Sequence, residues 1–483
     1  MSCEEWKALT LCSIGFWVWI VASQDTLQSP ESIPTRQPHY YPSVMISVFV
    51  RNKEHTLPYF FGHLEELDYP KDRLHLYIRT DHNADNSAIS LKEWTRLARS
   101  YYGSVDFEEP ESGLRSSYPS EDGHFHWPEE RYRHLIGLKE EALYKARRMG
   151  MEYTLFMDAD VFFTYPRTLQ VLMREDQIVT APVLRSVESN YSNFWAGMNE
   201  EGYYRRTEDY IPILHRHSGY HGAFKVPMVH SAVLIDLRKE GAEKLTFDPE
   251  NIPGYEGPVD DIIVFAASAK FYDVDLVVVN SKDFGILVEP TDPGLSMEAE
   301  KESMRYLLLE SIFNGPPGLL HSPLLPPKHP PSDKVGFDEI FLINLVRRTA
   351  RKKRMDGCFR LLDLNVTHIE AVDGSQITER KVQELGISML PEYRDPYHKR
   401  VLTAGEIGCF LSHFRIWEEI VQKNLASVLV LEDDLRFVKY FRMYMRGIWE
   451  DIERSSLDWD LIYIGRKRLK VSGAQTSPVF LGV

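Results

Sequence analysis

The chain has 483 residues, a formal net charge of −15, 43% hydrophobic residues and 26% charged residues. The length fits two or three domains, and the composition excludes collagen-like, coiled-coil and wholly disordered chains. The acidic balance argues against a nucleic-acid binder, which needs a basic footprint. The cysteines are Cys3, Cys12, Cys358 and Cys409, too few for a disulfide framework.

Leu9 to Ala22 reads LTLCSIGFWVWIVA, an apolar run shorter than a membrane-spanning helix needs. Small residues end it, so residues 1–23 read as a signal peptide cleaved after Ser23, with an uncleaved anchor as the alternative. Either places the folded part in the secretory pathway. There the sequons at Asn190 (N-Y-S) and Asn365 (N-V-T) become glycosylation candidates. Cys358 and Cys409 could pair in that oxidising compartment or stand as two buried thiols.

Val44 to Asn52 is short, apolar and β-branched, and predicts a buried strand. A helix is expected over Leu57 to Leu67, a strand over Leu74 to Thr80, and a helix over Leu91 to Arg99. Glu108 to Pro128 reads as a long loop, Glu129 to Met149 as an amphipathic helix and Tyr153 to Met157 as a strand. Further strands are expected at Ile178 to Val183, Val229 to Asp236 and Val274 to Val279. Alternating strands and helices imply an α/β fold with a parallel sheet. Gly315 to Lys334 carries seven prolines and reads as a semi-rigid linker. A second α/β pattern follows: strand Glu339 to Leu345, a basic helix from Arg347, strand His368 to Val372, a helix from Thr403, strand Ser427 to Leu431, and strand Asp460 to Ile464.

Two strands end in acids. Leu155-Phe156-Met157 runs into Asp158-Ala159-Asp160. Ligands of open parallel sheets bind outside the carboxyl ends of the strands. Two carboxylates there can hold a divalent ion that neutralises a departing nucleoside diphosphate. Val428 to Leu431 runs into Glu432-Asp433-Asp434, a second metal candidate or a solvated helix start. Asp260 and Asp261 open an apolar helix. They read as caps, or as residues that bind the acceptor or take a proton from its hydroxyl; Glu432 and Asp434 are further catalytic candidates. Thr403 and Glu406 fit a capping box, and the following helix is expected to bury Ile407, Phe410, Leu411, Phe414 and Trp417. His413 lies on the Glu406 face and could bind substrate. Arg347 and Arg348 open a basic run that faces either a diphosphate or solvent.

The segments LTAGEIGCFLSH, VLVLEDDLRF and WDLIYIGRKR resemble glycosyltransferase family 25. SNFWAGM, GYYRRT, VPMVHSAVLIDLRK and DDIIVFA resemble its animal members, the procollagen galactosyltransferases and their adhesion-molecule paralogue. The resemblance implies two tandem GT-A-like (Rossmann-like) domains, over 40–313 and 335–470, joined by 314–334, in the endoplasmic reticulum lumen. It implies Mn2+-dependent, inverting transfer of galactose from UDP-galactose to 5-hydroxylysine of collagen. Donor and metal would be held at Asp158 and Asp160, and metal again at Glu432, Asp433 and Asp434. Independently of the resemblance, Glu406, His413, Arg347 and Arg348 are candidates for donor binding. Expected partners are collagen chains and a UDP-sugar, with a homodimer left open. Residues 471–483 diverge from the family, so the second domain is expected to be truncated. A catalytically inactive paralogue that binds collagen or cells is the alternative.

Overall fold

A computed structural model describes residues 40–109, 117–187, 189–199, 203–292, 294–314, 318–388, 390–395, 399–456 and 458–465. The expected signal segment and the divergent tail lie outside these residues, as do 110–116 of the expected loop and 315–317 of the Pro-rich stretch. Among the described residues no helix is long and apolar enough to cross a membrane.

Eight strands form the main sheet: β1 (Val44–Val50), β2 (Leu74–Thr80), β3 (Ser104–Glu108), β4 (Tyr153–Met157), β5 (Val179–Pro182), β6 (Ala223–Val226), β7 (Ala232–Asp236) and β8 (Leu276–Val279). Their order is β6-β8-β5-β7-β4-β1-β2-β3. β1 pairs in parallel with both β2 and β4, while β7 runs antiparallel to β4 and β5. The sheet is therefore mixed around a parallel centre. Strand alternation explains its two cores. Val44, Ile46, Val48 and Val50 face one core, under the helices Leu57–Glu65 and Ser87–Ala98, where Phe61 stacks on Trp94 at 3.6 Å. Met45, Tyr77 and Phe156 face the other, with helices Glu129–Arg148 and Asp261–Phe271. β3 was not expected from sequence, because only five residues of mixed polarity form it at the sheet edge.

One expected strand is broken. Val229 to Asp236 reads as continuous, but the structure splits it into Met228–Val229 and β7, with His230 and Ser231 between. Ser231 has φ +61°, a left-handed conformation that a continuous strand cannot contain.

The second sheet is all parallel, in the order β10-β9-β11: β9 (Glu339–Asn344), β10 (Thr367–Glu370) and β11 (Val428–Glu432). Helices Thr349–Leu361 and Ala404–Lys423 connect its strands. The strand expected at Asp460 to Ile464 does not form; those residues are irregular, and Leu461 and Tyr463 are exposed. The helix Ala404–Lys423 also departs from expectation. Its buried residues are Gly408, Ser412 and Ile416, while Phe410, Phe414 and Trp417 are exposed. Cys358 is buried and Cys409 exposed, and both are free thiols.

The Pro-rich stretch is irregular as expected, yet it is fastened. Ser322 donates to Glu65 through its hydroxyl and to the Pro58 carbonyl through its N–H, the Leu320 N–H donates to His63 Nε2, and Leu325 enters the first core. The preceding helix, Met297–Phe313, serves two cores. Met304, Leu307 and Leu308 pack into the first sheet's core, while Leu309, Ile312 and Phe313 pack into the second's.

Candidate active site

β4 delivers the first acidic pair to the carboxyl end of the sheet. Its turn is held on every side. The Asp158 N–H donates to the Ser231 carbonyl at 2.8 Å, Thr56 Oγ1 donates to the Ala159 carbonyl at 2.8 Å, and the Val288 N–H donates to the Asp160 carbonyl at 3.0 Å. The side chains then meet two lysines. Lys53 Nζ lies 2.7 Å from Asp160 Oδ2 and 2.5 Å from Glu300 Oε1. Lys139 Nζ, from the long helix, lies 2.5 Å from Asp261 Oδ2.

A small cavity of about 20 Å³ opens beside Asp158, lined also by Lys139, His230, Ser231 and Asp261. That is the room of roughly one water or one ion. Burial pushes Asp158 above the usual carboxylate range; Lys139 opposes the shift and Asp160 adds to it. Burial also lowers His230 to about 4, so its imidazole is neutral near pH 7. Its Nδ1 lies 2.9 Å from the Ser231 hydroxyl, and its buried Nε2 has no hydrogen-bond partner among the described residues.

Asp158, Asp160, Asp260, Asp261 and Glu300 bring five carboxylates against the two ammonium groups, Lys53 and Lys139. The remaining negative charge, together with the orphaned imidazole nitrogen, fits a divalent ion that accepts oxygen and nitrogen ligands, such as Mn2+. Asp158 and Asp160 would hold it, with His230 beside them.

Asp260 and Asp261 divide the two expected roles. Asp260 is the N-cap, its Oδ1 accepting from the Ile262 and Ile263 N–H groups at 2.9 and 3.1 Å. Asp261 is 5% exposed and faces the cavity.

The second acidic segment does not converge. Asp433 turns inward, accepting from Asn344 Nδ2 and Arg351 Nη1 at 2.7 Å each. Asp434 takes a 3.2 Å contact from Arg351. Glu432 instead faces His413, with Nε2 3.8 Å from Oε1. Glu406 completes the capping box with Thr403 and is paired by Arg400, whose hydrogen bonds hold its carboxyl down at about 2. Arg347 pairs with Asp373 at 2.8 Å, and Arg348 is the N-cap residue of Thr349–Leu361. Both sequon asparagines are exposed; Asn190 Oδ1 lies 2.8 Å from His215 Nε2.

Sequence reasoning missed Lys53, Lys139, His230 and Glu300. The four come from separate elements, and only the fold places them around the acids. The one available signal was the His-Ser pair in an otherwise apolar strand, VPMVHSAVLID.

Comparison with known proteins agrees with this division into two sheets. Residues 41–308 match the model of the glycosyltransferase family 25 N-terminal domain, and 337–472 match that of glycosyltransferase family 25 (LPS biosynthesis protein). Mouse procollagen galactosyltransferase 2 is 43% identical over 453 residues, covering 93% of this chain and 70% of the relative. Human inactive glycosyltransferase 25 family member 3 is 43% identical over 428 residues, covering 89% and 71%. Among solved structures, Pyrobaculum calidifontis mannosyltransferase PcManGT with GDP-Man and Mn2+ aligns over 86% of this chain and 89% of its own, at 12% identity and a TM-score of 0.32. Staphylococcus aureus TarS with UDP-GlcNAc aligns over 57% and 67%, at 13% identity and a TM-score of 0.32. These scores are too low to carry weight. The two family models and the long matches at more than 40% identity are decisive: the chain belongs to glycosyltransferase family 25.

Proposed function

We propose that the chain is a collagen-directed galactosyltransferase, moving galactose from UDP-galactose to 5-hydroxylysine with inversion to a β-linkage. The observation that carries this reading is the Asp158–Asp160 turn clamped at the carboxyl end of the main sheet, with Asp261 across a one-ion cavity. Family membership and the relatives named procollagen galactosyltransferases support the acceptor class. Bound Mn2+ supplies positive charge against the leaving diphosphate.

The chain's residues do the rest. Asp158 and Asp160 fix the donor end, with the Lys53 ammonium on Asp160 and the Lys139 ammonium on Asp261 within electrostatic reach of Asp158, where they offset the incoming diphosphate charge. Of the two, we assign the acceptor hydroxyl's proton to Asp261, which faces the cavity and is ion-paired with Lys139, whereas Asp260 caps the helix N-terminus. As that proton leaves, the acceptor oxygen bonds the anomeric carbon and the bond to the diphosphate oxygen breaks, releasing UDP. We place the protein in the endoplasmic reticulum lumen, on the apolar run Leu9 to Ala22 and the two exposed sequons.

A second reading, a catalytically silent paralogue, is favoured by one observation: the Lys53 ammonium already sits on Asp160, the acid a cation would need. The test is galactose transfer from labelled UDP-galactose to hydroxylysine-containing denatured collagen, with Mn2+ and with chelator. Transfer with Mn2+ that chelator removes is the expected result. No transfer from folded protein overturns the enzyme reading in favour of the silent one.

A further inference from the structure

Tyrosines gather around the acid that precedes Asp261. Tyr132, Ile136 and Lys139 stand four and three residues apart, hence on one face of the helix Glu129–Arg148. Ile136 packs against Val264 of the helix Asp261–Phe271, and Lys139 pairs with Asp261, which puts Tyr132 on the side that meets the start of that helix. Tyr255 donates its hydroxyl to the Pro258 carbonyl at 2.7 Å, two residues before Asp260, and its ring packs in the Ile136 cluster. Tyr204 stacks on Trp195 at 4.7 Å, and the Trp195 strand pairs with Met228–Val229, which leads into His230. All three tyrosines lie within electrostatic reach of the Asp260 carboxylate. That carboxylate uses Oδ1 for the helix cap, while Oδ2 accepts no hydrogen bond among the described residues. Tyr204 is exposed, and Tyr132, Tyr255 and Asp260 are half-buried, so the cluster is open to an incoming group.

We propose that Asp260, Tyr132, Tyr204 and Tyr255 form the subsite for a side-chain ammonium of the acceptor, and so present the hydroxyl on the neighbouring carbon to Asp261. The inference rests on the galactosyltransferase reading and names the residues that orient 5-hydroxylysine. In that acceptor the ammonium and the hydroxyl stand on adjacent carbons, and Asp260 and Asp261 are adjacent in the chain. The faces of aromatic rings attract a cation, most strongly where water is excluded. The rings are neutral near pH 7, since burial and the Asp260 charge push the Tyr132 and Tyr255 hydroxyls up to about 12. The charge balance runs the same way. Five carboxylates meet two ammonium groups here, so one divalent ion still leaves negative charge over. The nearby Arg131 guanidinium does not compete for Asp260, because it pairs with Glu121 and lies over the Trp127 ring. The cavity that Asp261 faces also holds the buried His230 Nε2, unpartnered among the described residues, which marks this end of the sheet as built for a ligand.

The test measures peptide binding to the full chain by calorimetry, with Mn2+ and UDP present, so it needs no transfer. The probes are two collagen-like peptides, one with 5-hydroxylysine and one with that residue's ε-amine acetylated, which keeps the hydroxyl and removes the charge. The hydroxylysine peptide is expected to bind at least about tenfold more tightly, as a charge-assisted contact allows. Asp260→Asn keeps a capping side chain and loses the charge, so it should fold as the wild type does while losing that preference. Tyr204→Leu should weaken binding of the hydroxylysine peptide by about threefold or more, whereas Tyr204→Phe, which keeps the ring, should not. Glu256→Gln, at an exposed acid a few residues earlier, should keep the preference. Near-UV circular dichroism checks that the variants fold. Equal binding of the two peptides by the wild type, or binding of neither, overturns the proposal. So does a preference that survives Asp260→Asn, or one that Glu256→Gln removes. Galactose transfer is read separately on the same peptides. A preference without transfer removes the enzyme reading and leaves the subsite standing, and equal transfer to both peptides does the reverse.

Discussion

Lys53 shows how one residue can set the behaviour of a site. Its ammonium joins Asp160 to Glu300, and Glu300 is 4% exposed. Removing the ammonium leaves the buried Glu300 carboxylate without compensation; the ~3–5 kcal/mol such a loss costs in a fully buried pair is an upper bound here, because Lys53 and Asp160 are half-buried. Lys53→Met is therefore expected to lower the melting temperature, and added Mn2+ is expected to restore more stability to this variant than to the wild type, because the freed carboxylates take the ion. Equal Mn2+ stabilisation of both proteins would remove Lys53 from the site. Asp160→Asn is expected to abolish Mn2+-dependent UDP binding, read by calorimetry, with little change in fold. The acids were legible because they follow an apolar strand. Their basic partners were not: Lys53 lies in a polar loop and Lys139 in a charge-rich helix, where nothing in the local pattern separates them from solvated neighbours.

Among the elements, the helix Ala404–Lys423 is the instructive case. Its start was legible: Thr403 and Glu406 form the capping box that the spacing predicts. Its buried face was not. A Cβ on Gly408 would meet the Val372 carbonyl oxygen at 2.6 Å, and Ser412 Oγ accepts the Val372 N–H at 2.9 Å. The helix packs by close backbone approach, which selects Gly, Ser and Ile and turns the aromatic stripe outward. Periodicity identifies an apolar face but not a face chosen for smallness. Gly408→Ala should therefore destabilise by ~1–3 kcal/mol in a denaturant titration, although alanine favours helix by ~1 kcal/mol elsewhere. At the helix Asp261–Phe271, Asp260→Ala removes a two-bond cap and should cost ~1 kcal/mol in the same measurement.

For the whole molecule, the fastening of the Pro-rich stretch carries a pH dependence. His63 is 2% exposed and accepts the Leu320 N–H at Nε2; burial holds it near 4. Its folded value lies below its unfolded value of ~6.5, so its contribution is full above ~6.5 and is lost as pH falls toward about 4. The loss approaches ~1.4 kcal/mol per pH unit within that window, and the proton also removes the acceptor for Leu320. Hydrogen-exchange protection at Leu320 and Ser322, taken relative to the intrinsic amide rate at each pH, should fall as pH drops from ~6.5 toward about 4, and His63→Gln, which keeps an acceptor without a titrating ring, should flatten the response. The sequence marked this stretch as unable to form regular structure, and it does not. It could not show that an irregular segment docks, since docking depends on a histidine more than two hundred residues away.

The helix Met297–Phe313 and the stretch after it also set an order of synthesis. Met304, Leu307, Leu308 and Leu325 belong to the same core as β1, which leaves the ribosome some 250 residues earlier. A nascent chain stopped before Met297 carries all eight strands of the main sheet yet leaves part of its apolar floor open to water. Such a chain stays prone to aggregation until the stretch through Leu325 emerges and closes it. By then the same helix already offers Leu309, Ile312 and Phe313 as the template on which the next sheet condenses.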